Sequence, residues 1–321
     1  MQLVEQLNRA SVAKHFDAYL DVDWDASDHA IDPADPRWQL SEEDPVGASA
    51  WYRALPPETR SRLGLHMAAS AMKIGWQFES VLQRGLLELA ATLPDDVPEL
   101  RYLYHEVTEE AQHTLMFMEF VRRVHAVAPL DTPGLPRRLR PLRATIIGLA
   151  RRFPEAFMIF VLGGEDPIDH VQRGLLGRDV HPLLRRIMTI HVTEEARHLA
   201  FARAWLRARV PVLPPARRAA LALLAPVVLA VMARLMLRPG GHLVRGYGMP
   251  PEVARSAGLR TRAVASLDKV RELCAELDLL TPRTAPVWRA VGIAPPRRTK
   301  AERGATERAG APDPSEPGRG S

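Results

Sequence analysis

The chain has 321 residues, a formal net charge of +5 and 46% hydrophobic side chains, a length and composition that allow one large folded domain with a tail. Its single cysteine, Cys274, excludes an intramolecular disulfide and a thiolate metal cluster and reads as a small core residue, so any metal must be held by histidine and carboxylate. The basic excess is mostly arginine, in runs such as Pro136-Arg-Arg-Leu-Arg-Pro141 and in the C-terminal tail, without an accompanying nucleic-acid motif; no nucleic-acid partner is expected. The N-terminus lacks the apolar stretch and cleavage site of a secretion signal, so a cytoplasmic location is the expectation.

In chain order, residues 1–48 read as an N-terminal extension whose Asp-, Pro- and Trp-rich part, Ile31 to Val46, forms an irregular layer on the domain that follows. Residues 49–293 carry apolar side chains at helical spacing, and leucine, alanine and arginine recur while β-branched and aromatic residues are sparse. The first long helix spans Leu63 to Thr92 and ends at the turn Leu93-Pro94-Asp95-Asp96. A second runs from Pro98 to Val127, with Glu99 in a first turn where negative charge suits the helix dipole. Pro129, Pro133, Pro136 and Pro141 punctuate a long connection holding a short helix over Leu142 to Arg152. Pro154, at a first helical position, opens a third long helix to Leu176, kinked at Pro167. The fourth follows His181-Pro182 and reaches Val210. Pro214 and Pro215 precede a fifth, apolar helix. Its most apolar run, Ala219 to Ala233, is shorter than the roughly 18 residues of a membrane span and contains Pro226, so a buried or dimer-facing helix is expected, not a membrane segment. Helices over 251–278 and 284–291 complete the domain, and residues 294–321, rich in Pro, Gly and charge, are expected to be a disordered tail.

Two of the long helices carry the same pattern, Glu110-Ala111-Gln112-His113 and Glu195-Ala196-Arg197-His198. Residues three apart lie on one helix face, so each motif aims one carboxylate and one imidazole at a common point. The helix before each motif supplies a glutamate amid apolar neighbours, Glu79 and Glu165, where an unpaired charge would be costly. Glu79 precedes Glu110 by 31 positions and Glu165 precedes Glu195 by 30, so two helical hairpins bring their carboxylates to similar heights. This pairing is the dimetal carboxylate signature of an all-α, ferritin-like four-helix bundle with a dimetal core and flanking helices. His191, four residues before Glu195, shares the face of Glu195 and His198; the matching position in the first half is Glu106.

The candidate metal ligands are therefore Glu79, Glu110, His113, Glu165, His191, Glu195 and His198. The alternatives are a hydrogen-bonded polar core without metal, Glu-x-x-His pairs on solvent faces, and, for His191 alone, an outer hydrogen-bonding role. Glu109 and Glu194 sit about 100° around the helix from their neighbours and read as solvated or as outer partners of the ligands. Oxygen and nitrogen ligands with bridging carboxylates suit a redox-active pair, two Fe ions first and Mn second, with dioxygen as co-substrate.

On these residues the chain resembles the p-aminobenzoate N-oxygenase family of ferritin-like diiron enzymes over roughly residues 50 to 240. The distinctive element is the seventh ligand, matched by His191-Val192-Thr193-Glu194-Glu195-Ala196-Arg197-His198. The resemblance implies a monooxygenase that converts an aromatic amine toward hydroxylamine and nitro products, with electrons from an external donor, acting as a homodimer. Met72, Met116 and Met158 are either walls of a flat substrate slot or ordinary core filling. Family substrates often carry a carboxylate, and no one arginine in the sequence stands out as its anchor. Other readings of the same ligand set are a C-hydroxylase or desaturase of a small or carrier-bound substrate, an iron-handling or radical-generating protein, and a helical binding module that uses the fifth helix as an interface.

Overall fold

The computed structural model describes residues 2–130 and 140–294, and among them every regular element is a helix. The N-terminal extension begins with α1 (Gln2–Ala13) and continues through short turns to the one-turn α2 (Ala50–Arg53). The bundle consists of α3 (Pro57–Ala90), α4 (Pro98–Val127), α6 (Pro154–Leu176) and α7 (Pro182–Arg209), with α5 (Arg140–Arg152) in the crossover. α8 (Pro215–Leu237) packs along α6, and α9 (Gly241–Gly246), α10 (Pro251–Ala254), α11 (Ala257–Ala265), α12 (Asp268–Glu276) and α13 (Ala285–Ala290) close the end of the domain. The Pro-rich part of the crossover and the tail expected to be disordered lie outside the described residues, apart from Ala294.

Proline sets the start of each bundle helix. Pro57, Pro98, Pro154 and Pro182 occupy first-turn positions, where the missing N–H costs nothing and the fixed φ favours helix entry. This explains why α3 begins at Pro57, a turn and a half before the Leu63 expected from apolar periodicity. The stretch expected as a helix over 251–278 is instead three short ones, because the Ser256 hydroxyl accepts from the Leu259 amide and starts a new helix. Cys274 is buried there, as a core residue.

The hairpins α3–α4 and α6–α7 face each other so that the α3/α6 and α4/α7 seams enclose a common core. At the α3/α6 seam each helix offers a glycine to the other's phenylalanine: a Cβ on Gly164 would lie 2.2 Å from the Phe78 ring, and one on Gly85 would lie 2.2 Å from the Phe157 ring. The order Phe78 then Gly85 on α3 meets Gly164 then Phe157 on α6, so the helices run antiparallel. This close approach sets Glu79 and Glu165, the neighbours of Phe78 and Gly164, at the same level of the bundle.

The fifth long helix starts at Pro215, as expected from the Pro214-Pro215 pair, and extends past its most apolar run on both sides. At 23 residues α8 continues through Pro226, and by length and composition alone its segment is apolar enough to cross a membrane. Half of its most apolar window is nevertheless buried inside the protein, where Leu229 and Met232 approach Gly163 of α6, while Leu223, Val227 and Val231 remain exposed.

Gly164→Ala forces the Phe78 ring out of its seat and is expected to destabilise the fold by ~1–3 kcal/mol, as overpacked cores do. Urea unfolding measures this; unchanged stability would show that the seam is not closely packed.

Candidate metal centre

All seven residues singled out in the sequence are brought together in the core between α3, α4, α6 and α7, and all are buried. Their donor atoms form overlapping groups: Glu79 with His113 and His191, Glu110 with His113 and Glu195, and Glu165 with His191 and Glu195, each within 4.8 Å. His198 joins them through Nδ1, which lies 3.0 Å from Glu110 Oε1 and 3.1 Å from Glu195 Oε1. His113 Nδ1 lies 3.5 Å from both Glu110 and Glu195. Glu110 and Glu195 thus stand between the two histidines, where a carboxylate can bridge two ions.

The orientation of these rings is fixed from outside by carboxylates. His113 Nε2 is 2.8 Å from Glu194 Oε2, and His198 Nε2 is 2.8 Å from Glu109 Oε2. Each Glu-Glu-x-x-His segment therefore uses its second glutamate and its histidine at the cluster and its first glutamate to hold the histidine of the other segment. The reciprocity requires α4 and α7 to be antiparallel. Arg197 ties the two braces together, 2.9 Å from Glu109 and 3.5 Å from Glu194, and the Phe16 amide of the N-terminal extension donates to Glu194 at 3.1 Å. A carboxylate accepting Nε2–H leaves the Nδ1 lone pair facing inward, the arrangement that suits a metal-binding imidazole. His191 is set differently: its Nδ1 pairs with the Gln172 amide oxygen at 3.0 Å, and its Nε2 faces Glu79 and Glu195 at 3.7 and 3.8 Å.

Of the two roles that spacing allowed Glu109 and Glu194, the structure selects hydrogen bonding to the histidines; neither is solvated. The repeated doublet Glu-Glu in both motifs was the signal for this. The backbone contribution of Phe16 had none, because an amide donor carries no side-chain signature.

The fit to metal rests on atoms left without partners. Glu106 Oε2, both Glu110 oxygens, His113 Nδ1 and Glu195 Oε2 are buried and form no hydrogen bond, although buried polar atoms are nearly always paired. All of them belong to residues of these donor groups, Glu106 through a fourth group with Glu110 and His198. Cations among these atoms would satisfy them together.

The sequence matches the family described as P-aminobenzoate N-oxygenase AurF over residues 1–281. The chain belongs to the p-aminobenzoate N-oxygenase family. It is also similar to Uncharacterized protein Rv0885 of Mycobacterium tuberculosis and to Uncharacterized protein Mb0909 of Mycobacterium bovis, each 37% identical over 300 residues, covering 91% of this chain and 87% of the relative. The p-aminobenzoate N-oxygenase family consists of ferritin-like diiron oxygenases, and the buried carboxylate and histidine groups of this member are able to hold metal.

Without cations the cluster balances charge with protons. Burial raises the Glu79 and Glu165 carboxyls well above the usual range, and it pushes Glu106 up to about 8. Burial disfavours charge on His113 and His198 too, but adjoining carboxylates outweigh it and hold both well above the ordinary histidine value. Glu109 is likewise opposed by burial, yet His198 and Arg197 bring it down to about 2. His191, with no carboxylate hydrogen-bonded to it, is lowered to about 4 by burial and stays neutral.

A cavity of about 120 Å³ opens beside the cluster, reaching Glu79, Glu165 and His191. Its walls are apolar, among them Met72 and Phe78 of α3, Ile168 and Val171 of α6, and Met188 of α7. Of the three methionines considered as slot walls only Met72 lines it; Met116 and Met158 are core filling.

Two outcomes follow for metal loading. Because cations must displace the protons on His113, His198, Glu79 and Glu165, anaerobic addition of Fe(II) to weakly buffered protein should release protons, and apparent affinity should rise with pH; loading without proton release would contradict this charge balance. Glu194→Gln should weaken binding ~10–100-fold in an Fe(II) titration, the usual effect of losing an outer partner of a metal-bound histidine, whereas unchanged affinity would make the brace irrelevant to metal.

Proposed function

We propose that this member of the family is a diiron N-oxygenase that oxidises a small aromatic amine toward its hydroxylamine and nitro products, with Glu79, Glu110, His113, Glu165, His191, Glu195 and His198 as iron ligands. The observation that carries the reading is the cavity beside the cluster: its volume of about 120 Å³ matches one aromatic ring, and it ends on three of the ligand positions. An apolar protein cavity of about 150 Å³ is known to accept benzene.

A bound iron pair supplies the reduction of dioxygen and the oxidising power, with electrons from an external donor. The chain supplies position and protection. The apolar walls hold the ring against Glu79, Glu165 and His191 and exclude water from the reacting nitrogen. Gln172 accepts the Nδ1 proton of His191 and so keeps the Nε2 lone pair directed at the cluster. Glu109 and Glu194 do the corresponding work for His198 and His113 through Nε2. Among the described residues no lysine or arginine lines the cavity, and Gln172 is the one uncharged amide there. The exposed Leu223, Val227 and Val231 on α8 support the homodimer expected from the family resemblance.

The test is anaerobic loading with Fe(II), reduction, and mixing with dioxygen in a stopped-flow spectrometer. The expected result is about two irons per chain, an absorbance change that relaxes faster in the presence of an arylamine, and nitrogen-oxidised product by mass spectrometry. Product hydroxylated or desaturated at carbon would move the assignment to a C-oxidising diiron enzyme, and no reaction with dioxygen would remove the oxygenase reading.

A further inference from the structure

The two halves of the cluster are related by the repeat of their helices, and the repeat pairs His191 with Glu106. Glu106 precedes Glu110 by four positions and His113 by seven, as His191 precedes Glu195 and His198. Because α4 and α7 are antiparallel, these two positions fall at opposite ends of the cluster. His191 groups with Glu79 and His113, its ring centroid 4.6 Å from that of His113, whereas Glu106 groups with Glu110 and His198 within 4.8 Å.

The surroundings of Glu106 distinguish it from Glu109, its buried neighbour on the same helix. Glu109 is fully engaged by His198 and Arg197. Glu106 is 1% exposed, and its Oε2 has no hydrogen-bond partner. An orphaned carboxylate oxygen on a residue grouped with an inward-facing imidazole and Glu110 has the same character as the orphaned atoms of Glu110, His113 and Glu195. A purely structural role would leave that oxygen unsatisfied, which native cores rarely tolerate.

We infer that Glu106 is an eighth ligand position, serving the metal ion nearest His198 as His191 serves the ion nearest His113. The two ions would then differ in their extra ligand, an anionic carboxylate at one end and a neutral imidazole at the other. The inference rests on the diiron reading, but it is tested by metal binding and not by turnover.

The experiment compares wild type with Glu106→Gln and Glu106→Asp, each checked for helix content by circular dichroism. Fe(II) is titrated anaerobically, and Mössbauer spectra of the ferrous proteins are recorded with ⁵⁷Fe. The expected result is that Glu106→Gln weakens one of the two binding events at least about tenfold and changes one ferrous quadrupole doublet while the other is kept, with partial recovery in Glu106→Asp. Two irons bound with unchanged affinity and unchanged spectra in Glu106→Gln would overturn the inference and leave the seven-ligand diiron reading standing. A wild type that binds no iron would overturn both. Should Glu106→Gln fail to fold, Glu106→Asp carries the test: a shortened ligand must still alter one doublet, and spectra identical to wild type would overturn the inference.

Discussion

Burying seven glutamates and three histidines in the middle of an apolar bundle is the constraint from which the rest of this structure follows. Charges taken out of water need partners of opposite sign at close range, and the desolvation cost is met only when every oxygen and nitrogen has one. Glu109 and Glu194 meet the requirement with the outer nitrogens of His198 and His113 and with Arg197. The inner set has few partners beyond itself, Thr114 for Glu79 and Gln172 for His191, and several of its atoms have no hydrogen bond at all. Protons on His113, His198, Glu79 and Glu165 make such a cluster tolerable, and dications suit it better because each can satisfy several carboxylates at once.

The scaffold is arranged to keep that cluster in one geometry. Antiparallel α4 and α7 exchange histidine braces, and antiparallel α3 and α6 exchange phenylalanines into glycine seats. The first exchange sets the direction of the imidazoles; the second sets the height of Glu79 and Glu165 and leaves an apolar cavity beside them. The N-terminal extension is part of this arrangement. The Phe16 amide reaches Glu194, and the Ala18 amide donates to Gln112 Oε1 at 2.9 Å, within the α4 motif. Removing the extension would therefore expose one side of the cluster rather than trim an accessory.

Much of the site was legible in the sequence because helical periodicity is local. Glu-x-x-His fixes two side chains on one face wherever the helix sits, and the spacing from Glu79 to Glu110 and from Glu165 to Glu195 encodes the hairpins. Residues on the flank of that face were not settled by spacing. Whether Glu109 and Glu194 meet water or a neighbouring helix depends on how α4 and α7 approach, which the pattern of either helix alone does not contain. Glu106 was visible as the counterpart of His191, but its orphaned oxygen exists only in three dimensions. The start of α8 was legible in the Pro214-Pro215 pair, whereas the packing of Leu229 and Met232 against Gly163 of α6 was not. That no lysine or arginine among the described residues lines the cavity could not be read from a chain this rich in arginine.

The central claim is that these paired motifs hold two iron ions between α4 and α7. The most direct measurement is diffraction at the iron absorption edge from crystals loaded with Fe(II) under anaerobic conditions. The account predicts two anomalous peaks ~3.5–4 Å apart, both in contact with Glu110 and Glu195 and each adjoining one of His113 and His198. A core free of anomalous density in crystals that bind iron only at the surface would contradict it.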